Sequence, residues 1–155
     1  MPTNPHGTII LTGANGGLGT SIVSQITTSP SLSLSYHGIY CVRNTNSCPS
    51  LNTALTSHST HSHSKYSLDL SDLASVRDVA RDINGQVAAG VIPRIHALVL
   101  NAGFEEFTSD THTADGFDMA FAANYLGHWL MTVLLLESMD RERGRVVWLS
   151  SWVHK

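Results

Sequence analysis

Short apolar runs recur five times along the chain, and each is followed by a polar or glycine-rich turn. We predict strands at residues 8 to 11, 38 to 42, 65 to 70, 95 to 100 and 145 to 149. Apolar residues three or four positions apart predict helices between them, at about 17 to 28, after an N-cap at Ser71, and from about 115 to 139. With no hairpin signals, the alternation predicts an α/β fold with a doubly wound parallel sheet.

Two connecting stretches carry little pattern. Residues 31 to 35 are expected to form a loop, and residues 45 to 64 are polar apart from a hint of a short amphipathic helix near Leu51. Three histidines in the second stretch, His58, His61 and His63, suggest a metal site, but no Cys or carboxylate lies near them in the sequence. We therefore expect these side chains to be exposed and predict no metal ion.

All five predicted strands end in polar or glycine residues, and the first such end is the glycine-rich turn from Thr12 to Gly19. In an open parallel sheet, ligands bind at the carboxyl ends of the strands. Glycines allow a tight turn and the close approach of a phosphate, while the next helix offers unpaired N–H groups. The turn predicts a dinucleotide site; a structural turn without a ligand is the alternative for this segment alone.

These segments together resemble the short-chain dehydrogenase/reductase family, most closely its retinol-dehydrogenase-like branch, over almost the whole chain. The matching pieces are Thr-Gly-x-x-x-Gly-x-Gly from Thr12, the acidic Asp69, Asn-Ala-Gly from Asn101, Asn-Tyr-Leu-Gly-His-Trp from Asn124, and Ser-Ser after the fifth strand. The resemblance implies a Rossmann-like sheet in the order 3-2-1-4-5 and a single NADP-binding domain, residues 1 to 155, that lacks the C-terminal part of the family fold.

The resemblance also implies site residues. Ten residues would bind the pyrophosphate, flank the adenine or line the cofactor channel. They are Gly13, Asn15, Gly17, Leu18, Gly19, Asp69, Leu70, Asn101, Ala102 and Gly103. Ser151, or alternatively Ser150, would donate a hydrogen bond to the substrate carbonyl oxygen. Asn124 would hold a water of a proton relay, which makes Ser151 and Asn124 the candidate catalytic residues.

Asn124 also stands out without the resemblance, because it shares a predicted helix face with Phe117, Phe121 and His128. Burying an unpaired amide costs about 1 to 3 kcal/mol, so we expect its side chain to have a partner. Capping of a nearby loop is the alternative to a place in the relay.

The choice of nicotinamide cofactor follows from the charges. An NAD site usually carries an acid about 20 residues beyond the glycines, whereas an NADP site carries a cation. Here Arg43 ends the second strand and no Asp or Glu precedes Asp69. We predict NADP(H) bound through Arg43; a solvated charge at a strand end is the alternative.

One motif of the family is missing from these 155 residues: no Tyr-x-x-x-Lys follows Ser151. The resemblance assigns the proton donor to that Tyr, so we expect the chain to be a shortened form or incomplete gene model of an NADP-dependent oxidoreductase acting on a carbonyl or alcohol. An inactive, NADP-binding regulatory module and a non-binding remnant are the alternatives. His154 is a weak substitute for the missing donor.

The overall composition excludes several classes of protein. The net charge is −3 and residues 1 to 68 hold only two cations, Arg43 and Lys65, which cannot form a nucleic-acid surface. The N-terminus lacks the features of a signal peptide, and no apolar run reaches the roughly 18 residues of a membrane span. We predict a cytoplasmic protein with a small-molecule substrate. Homo-oligomers are possible, since Trp148 and Trp152 would lie near an open sheet edge.

Overall fold

The computed structural model describes residues 5–56, 60–105 and 111–151. The strands are β1 (Gly7–Thr12), β2 (Tyr36–Val42), β3 (His63–Ser67), β4 (Ile95–Leu100) and β5 (Arg145–Trp148). The helices are α1 (Gly17–Thr28), α2 (Pro30–Ser33), α3 (Pro49–Thr56), α4 (Leu73–Ala88) and α5 (Met119–Ser138).

The five strands form one parallel sheet in the order β3-β2-β1-β4-β5, which confirms the predicted topology. The central strand β1 pairs with both β2 and β4, so that Leu11 lies opposite Tyr40 on one side and Val99 on the other. The carboxyl end of β1 is therefore flanked by the ends of its two neighbours. This brings the glycine-rich turn next to the segments that follow β2 and β4.

Each face of the sheet has its own hydrophobic core, because side chains alternate between the two faces along a strand. Ile10 of β1 belongs to the cluster that α4 and α5 cover, which includes Val76 and Met131. Its neighbour Leu11 belongs to the second cluster, with Val23 of α1. The central strands are covered on both faces, as the continuous apolar runs predict.

Helix α5 is one continuous element built from different helical turns. It begins with an α-helical turn, Met119–Phe121, widens into a π-helical segment, Ala122–Leu126, and ends in a short 3₁₀ turn. Asp118 is the N-cap, and its carboxylate accepts from the Phe121 N–H at 2.6 Å. The predicted start near residue 115 was wrong because the capping residue lies three positions later.

Three further boundaries differ from the sequence prediction. The loop predicted for residues 31 to 35 was wrong over residues 31 to 33, since α2 begins at Pro30, whose fixed φ suits a first helical position. The N-cap of α4 is Asp72, whose side chain accepts from the Ala74 N–H at 2.9 Å, and not Ser71. Strand β3 ends at Ser67 rather than at residue 70.

The histidines before β3 differ from one another. His61 is 4% exposed, so its predicted exposure was wrong. It lies 2.8 Å from the Tyr40 hydroxyl through Nε2 and 3.1 Å from the Ser33 carbonyl oxygen through Nδ1, and these partners make its burial tolerable. His63 is exposed as predicted, and His58 lies outside the described residues. Within the described ranges no group of three potential ligands is placed to hold a metal ion.

By length and composition, helix α5 would be able to cross a membrane, with a mean hydropathy of 1.4 over an 18-residue window. That test is weak evidence, because core helices of soluble proteins also pass it. One side of α5 is fixed to α4, since the Asn84 side chain donates to the Leu134 carbonyl oxygen at 2.8 Å and accepts from the Ser138 hydroxyl. The sequence predicts no apolar run as long as a membrane span, whereas α5 meets that criterion by length and composition.

Candidate functional site: a groove at the carboxyl ends of the strands

A groove of about 1000 Å³ runs along the carboxyl ends of β1 to β4. All eleven residues that the sequence assigned to the cofactor line it: Gly13, Asn15, Gly17, Leu18, Gly19, Arg43, Asp69, Leu70, Asn101, Ala102 and Gly103. Further lining residues that the sequence did not single out include Ser47, Phe104, Met119 and Ala123. The volume lies at the upper end of the range of about 300 to 1,000 Å³ typical of ligand pockets.

The glycine-rich turn leaves one side of its backbone open. Gly13 has φ of +67°, a value that favours glycine, and its carbonyl oxygen accepts from the Gly16 N–H at 3.1 Å. A Cβ on Gly19 would collide with the Gly13 carbonyl oxygen, so this glycine allows α1 to start against the turn. A Cβ on Gly17 would meet nothing within 4 Å in the described part of the chain. Packing therefore explains Gly19 but leaves Gly17 free for the approach of a ligand.

The first turn of α1 is a suitable anion site. Its N-cap, Gly16, forms no side-chain capping bond, so the N–H groups of that turn are not satisfied by a capping side chain. These N–H groups lie at the positive end of the helix dipole, and two residues of the turn, Gly17 and Leu18, line the groove. A phosphate in the groove would find hydrogen-bond donors there.

The Thr12 hydroxyl joins the ends of β1 and β4. Its Oγ1 accepts from the backbone N–H groups of Asn101 and Ala102, both at 3.0 Å. The Asn101 side chain donates back to the Thr12 carbonyl oxygen at 2.9 Å. This reciprocal pairing fixes the floor of the groove, a role that the sequence pattern does not predict for the Thr12 side chain.

Two polar residues of the groove also bind other parts of the protein. The Asn15 side-chain oxygen accepts from the Leu51 N–H at 3.1 Å and so ties the glycine-rich turn to α3. The carboxylate of Asp69 accepts from the N–H and the hydroxyl of Ser71, at 2.9 and 2.6 Å. Both contacts order the loops around the groove.

Arg43 lies at the end of β2 with its residue exposed and lining the groove. Its backbone carbonyl oxygen accepts from the Ser67 hydroxyl at 2.9 Å, which fixes the main chain at this point. The ion pairs found among the described residues do not involve Arg43. Its guanidinium is therefore not committed to a carboxylate in that part of the chain.

The two candidate catalytic residues are not among the lining residues of the groove. The side-chain amide of Asn124 forms two hydrogen bonds with the backbone of Phe104. Its Oδ1 accepts from the Phe104 N–H at 3.0 Å, and its Nδ2 donates to the Phe104 carbonyl oxygen at 2.8 Å. The expected partner exists and caps a loop, while the relay role stays a prediction. Ser151 is exposed just beyond β5, and the Ser150 hydroxyl donates to its carbonyl oxygen at 3.5 Å. The choice between the two serines also stays a prediction.

A buried imidazole lies directly beneath the groove. His128 is 1% exposed, with Nε2 at 3.0 Å from the Thr12 Oγ1 and Nδ1 at 3.3 Å from the Asn124 carbonyl oxygen. Burial lowers the pKa of His128, and the hydrogen bond to Asn124 only partly opposes this. The sequence placed His128 on the face of Asn124 but did not predict that it reaches β1.

Cys41 also lines the groove but offers no reactive thiol. It is 1% exposed, and burial raises the pKa of its thiol to about 12. A thiol with this pKa stays protonated at neutral pH, so Cys41 acts as a small buried apolar residue.

The arrangement fits a nicotinamide dinucleotide. A pyrophosphate and its two nucleosides need an open backbone, as at Gly17, an uncapped helix start, as in α1, and a groove like the one that the eleven predicted cofactor residues line. Fold and groove together define a Rossmann-like α/β protein with a groove suited to a nucleotide.

Comparison with known proteins defines the family. The sequence model of the short chain dehydrogenase family matches residues 7–155, and the chain belongs to this family. It is 52% identical over 155 residues to the short-chain dehydrogenase iccH of Talaromyces variabilis, covering 98% of this chain and 42% of that relative. It is 32% identical over 157 residues to human retinol dehydrogenase 13, covering 98% of this chain and 43% of the relative. This supports the retinol-dehydrogenase-like branch.

The fold is shared with solved structures of the family. A metagenomic short-chain oxidoreductase in complex with NADP superposes with a TM-score of 0.69 at 22% identity, over 92% of this chain and 61% of that one. The chain thus spans less than half the length of the two curated relatives named above and about three fifths of this neighbour.

Proposed function

We propose that the groove binds NADP(H) and that the protein to which these residues belong transfers hydride between the nicotinamide and a carbonyl or alcohol substrate. The observation that carries the proposal is the single groove lined by the glycine-rich turn, Arg43 and the 101–103 segment. The bound nucleotide would supply the hydride. The family supports oxidoreductase chemistry, and the preference for NADP is our own inference.

The residues of this chain would bind and orient the nucleotide. Backbone N–H groups at Gly17 and Leu18 would hold the pyrophosphate, and Asp69 and Leu70 would flank the adenine. Asn101 to Gly103 would line the channel towards the reacting end. We propose Ser151 as the donor to the substrate oxygen and Asn124 as the residue that holds the relay, through its backbone or its side chain. Because no Tyr-x-x-x-Lys lies within residues 1 to 155, we ascribe the complete reaction to the whole protein.

The preference for NADP rests on Arg43. An exposed guanidinium at the groove, with no ion pair among the described residues, is a suitable partner for the extra phosphate on the adenosine ribose. The neighbouring solved structure was determined with NADP, which agrees with this choice. The comparisons lend no support to a binding-only module. A cytoplasmic location and a homo-oligomer stay predictions.

The cofactor preference is tested by titrating the chain with NADPH and NADH and following nucleotide fluorescence. We expect tighter binding of NADPH, and we expect Arg43→Ala to weaken it by about 10- to 100-fold, since a hydrogen bond to a charged group contributes about 1.5 to 3 kcal/mol. NADH affinity should change little. Arg77→Ala is the control, because Arg77 is an exposed arginine of α4 that is not among the groove's lining residues.

Equal affinities for the two nucleotides in the unmodified chain, unchanged in Arg43→Ala, would show that the preference for NADP is wrong. If neither nucleotide binds, the proposed groove function itself fails.

A further inference from the structure

The hydrogen bonds around the Thr12 hydroxyl determine the protonation of His128. Backbone N–H groups can only donate, so Thr12 Oγ1 is an acceptor for both Asn101 and Ala102. Two accepted bonds fill both lone pairs of the oxygen. The hydroxyl proton must therefore be donated to the remaining partner, His128 Nε2, at 3.0 Å.

This fixes the tautomer of the imidazole. Because Nε2 accepts from Thr12, the proton of the neutral His128 ring is on Nδ1, where it donates to the Asn124 carbonyl oxygen at 3.3 Å. A doubly protonated ring would point a second N–H at an oxygen that has no free lone pair. Such a ring is incompatible with the hydrogen bonds that close the groove floor.

No charged group compensates for a protonated ring in the described part of the chain. The ring contacts the Thr12 hydroxyl from β1, Trp148 from β5 in a T-shaped pair with ring centroids 5.8 Å apart, and a carbonyl oxygen of its own helix. Burial lowers the pKa of His128, the hydrogen bond to the Asn124 carbonyl oxygen partly opposes this, and no neighbouring charge contributes. The neutral ring is thus the form that this environment stabilises.

We propose that His128 is a positioning residue of the nucleotide groove, which holds the Thr12 hydroxyl, and through it the Asn101–Ala102 backbone, only while the ring is neutral. It touches the π-helical segment of α5, the end of β1 and, through Thr12, the end of β4. Nucleotide affinity should therefore depend on the protonation of His128. This inference rests on the proposed function for its affinity readout.

The affinity test compares the unmodified chain with His128→Gln and His128→Leu, each titrated calorimetrically with NADP⁺ at pH 8 and pH 5.5. Gln offers an amide oxygen to the Thr12 hydroxyl and does not titrate, whereas Leu offers no acceptor. We expect the unmodified chain to lose at least a further twofold in affinity between the two pH values relative to His128→Gln, because the lowered pKa of His128 leaves part of the rings neutral at pH 5.5. His128→Leu should bind about tenfold more weakly than the unmodified chain at pH 8.

The design separates His128 from other titrations. Protonation of the nucleotide phosphate, of His37 and of His61 is common to all three proteins, so only the difference between them reports His128. An equal loss of affinity at pH 5.5 in the unmodified chain and in His128→Gln would overturn the proposal.

A second measurement does not depend on nucleotide binding. The ¹⁵N chemical shifts of His128, assigned by comparison with His128→Gln, should show a protonated Nδ1 and an unprotonated Nε2 at pH 8. A protonated Nε2 would overturn the proposal even if NADP⁺ binds. A chain that shows the expected tautomer but binds no nucleotide would refute the proposed function while supporting the hydrogen-bond arrangement.

Discussion

Helix α5 packs tightly against the Leu70 backbone at Gly127, and replacing this residue tests how the helix is positioned. A Cβ on Gly127 would collide with the carbonyl oxygen of Leu70 and would lie 3.0 Å from its carbonyl carbon. The obstacle is main chain, which cannot rotate away as a side chain can. Gly127→Ala should therefore push α5 away from the loop that lines the groove.

The expected loss of stability in Gly127→Ala can be estimated by comparison with a second glycine of a helix. Gly85 lies within α4, and a Cβ there would meet nothing within 4 Å in the described residues. Gly85→Ala should stabilise the protein by about 0.5 to 1 kcal/mol, because alanine has the higher helix propensity. Gly127→Ala has the same propensity gain but adds overpacking, which costs typically about 1 to 3 kcal/mol. Since the contact is with backbone, we expect a difference of about 3 kcal/mol between the two variants.

The assay is urea unfolding followed by far-UV circular dichroism, with the free energies compared at equal m-values. Gly85→Ala should unfold at a higher urea concentration than the unmodified chain, and Gly127→Ala at a lower one. Stabilities within about 0.5 kcal/mol of each other would refute the close contact between α5 and the Leu70 backbone.

Two further predictions concern pH and the glycine-rich turn. Burial is the largest cause that lowers the pKa of His37, His61 and His128 from 6.5, so the unfolded chain takes up protons at a higher pH than the folded one. The free energy of unfolding should therefore be level above pH 6.5 and fall below it. Chemical denaturation between pH 8 and 5 checks this, and a level or rising profile would contradict it. Gly17→Ala should keep its stability within about 0.5 kcal/mol but lose NADP⁺ affinity, because the free space at Gly17 is proposed to belong to the ligand. Gly19→Ala, which collides with the turn itself, should lose both; retained affinity in Gly17→Ala would argue against a phosphate at this position.

The residue pattern was sufficient to predict the strands, their order once the family resemblance was included, and the residues that meet in the groove. It could do so because these features are local: an apolar run followed by a turn fixes both a strand and what stands at its carboxyl end, and a parallel sheet brings those ends together. Arg43, Asp69 and the 101–103 segment were all placed in this way.

The hydrogen-bond partners of buried polar groups could not be predicted in this way, because they come from residues distant in the sequence. The bond from Thr12 to His128 joins residues 116 positions apart, and the burial of His61 depends on acceptors and donors from α2 and β2. Hydrophobic periodicity likewise predicts neither the π-helical segment of α5 nor the approach of Gly127 to Leu70. Periodicity reports which face of an element is buried, whereas the partner of each buried polar group is set by packing between elements.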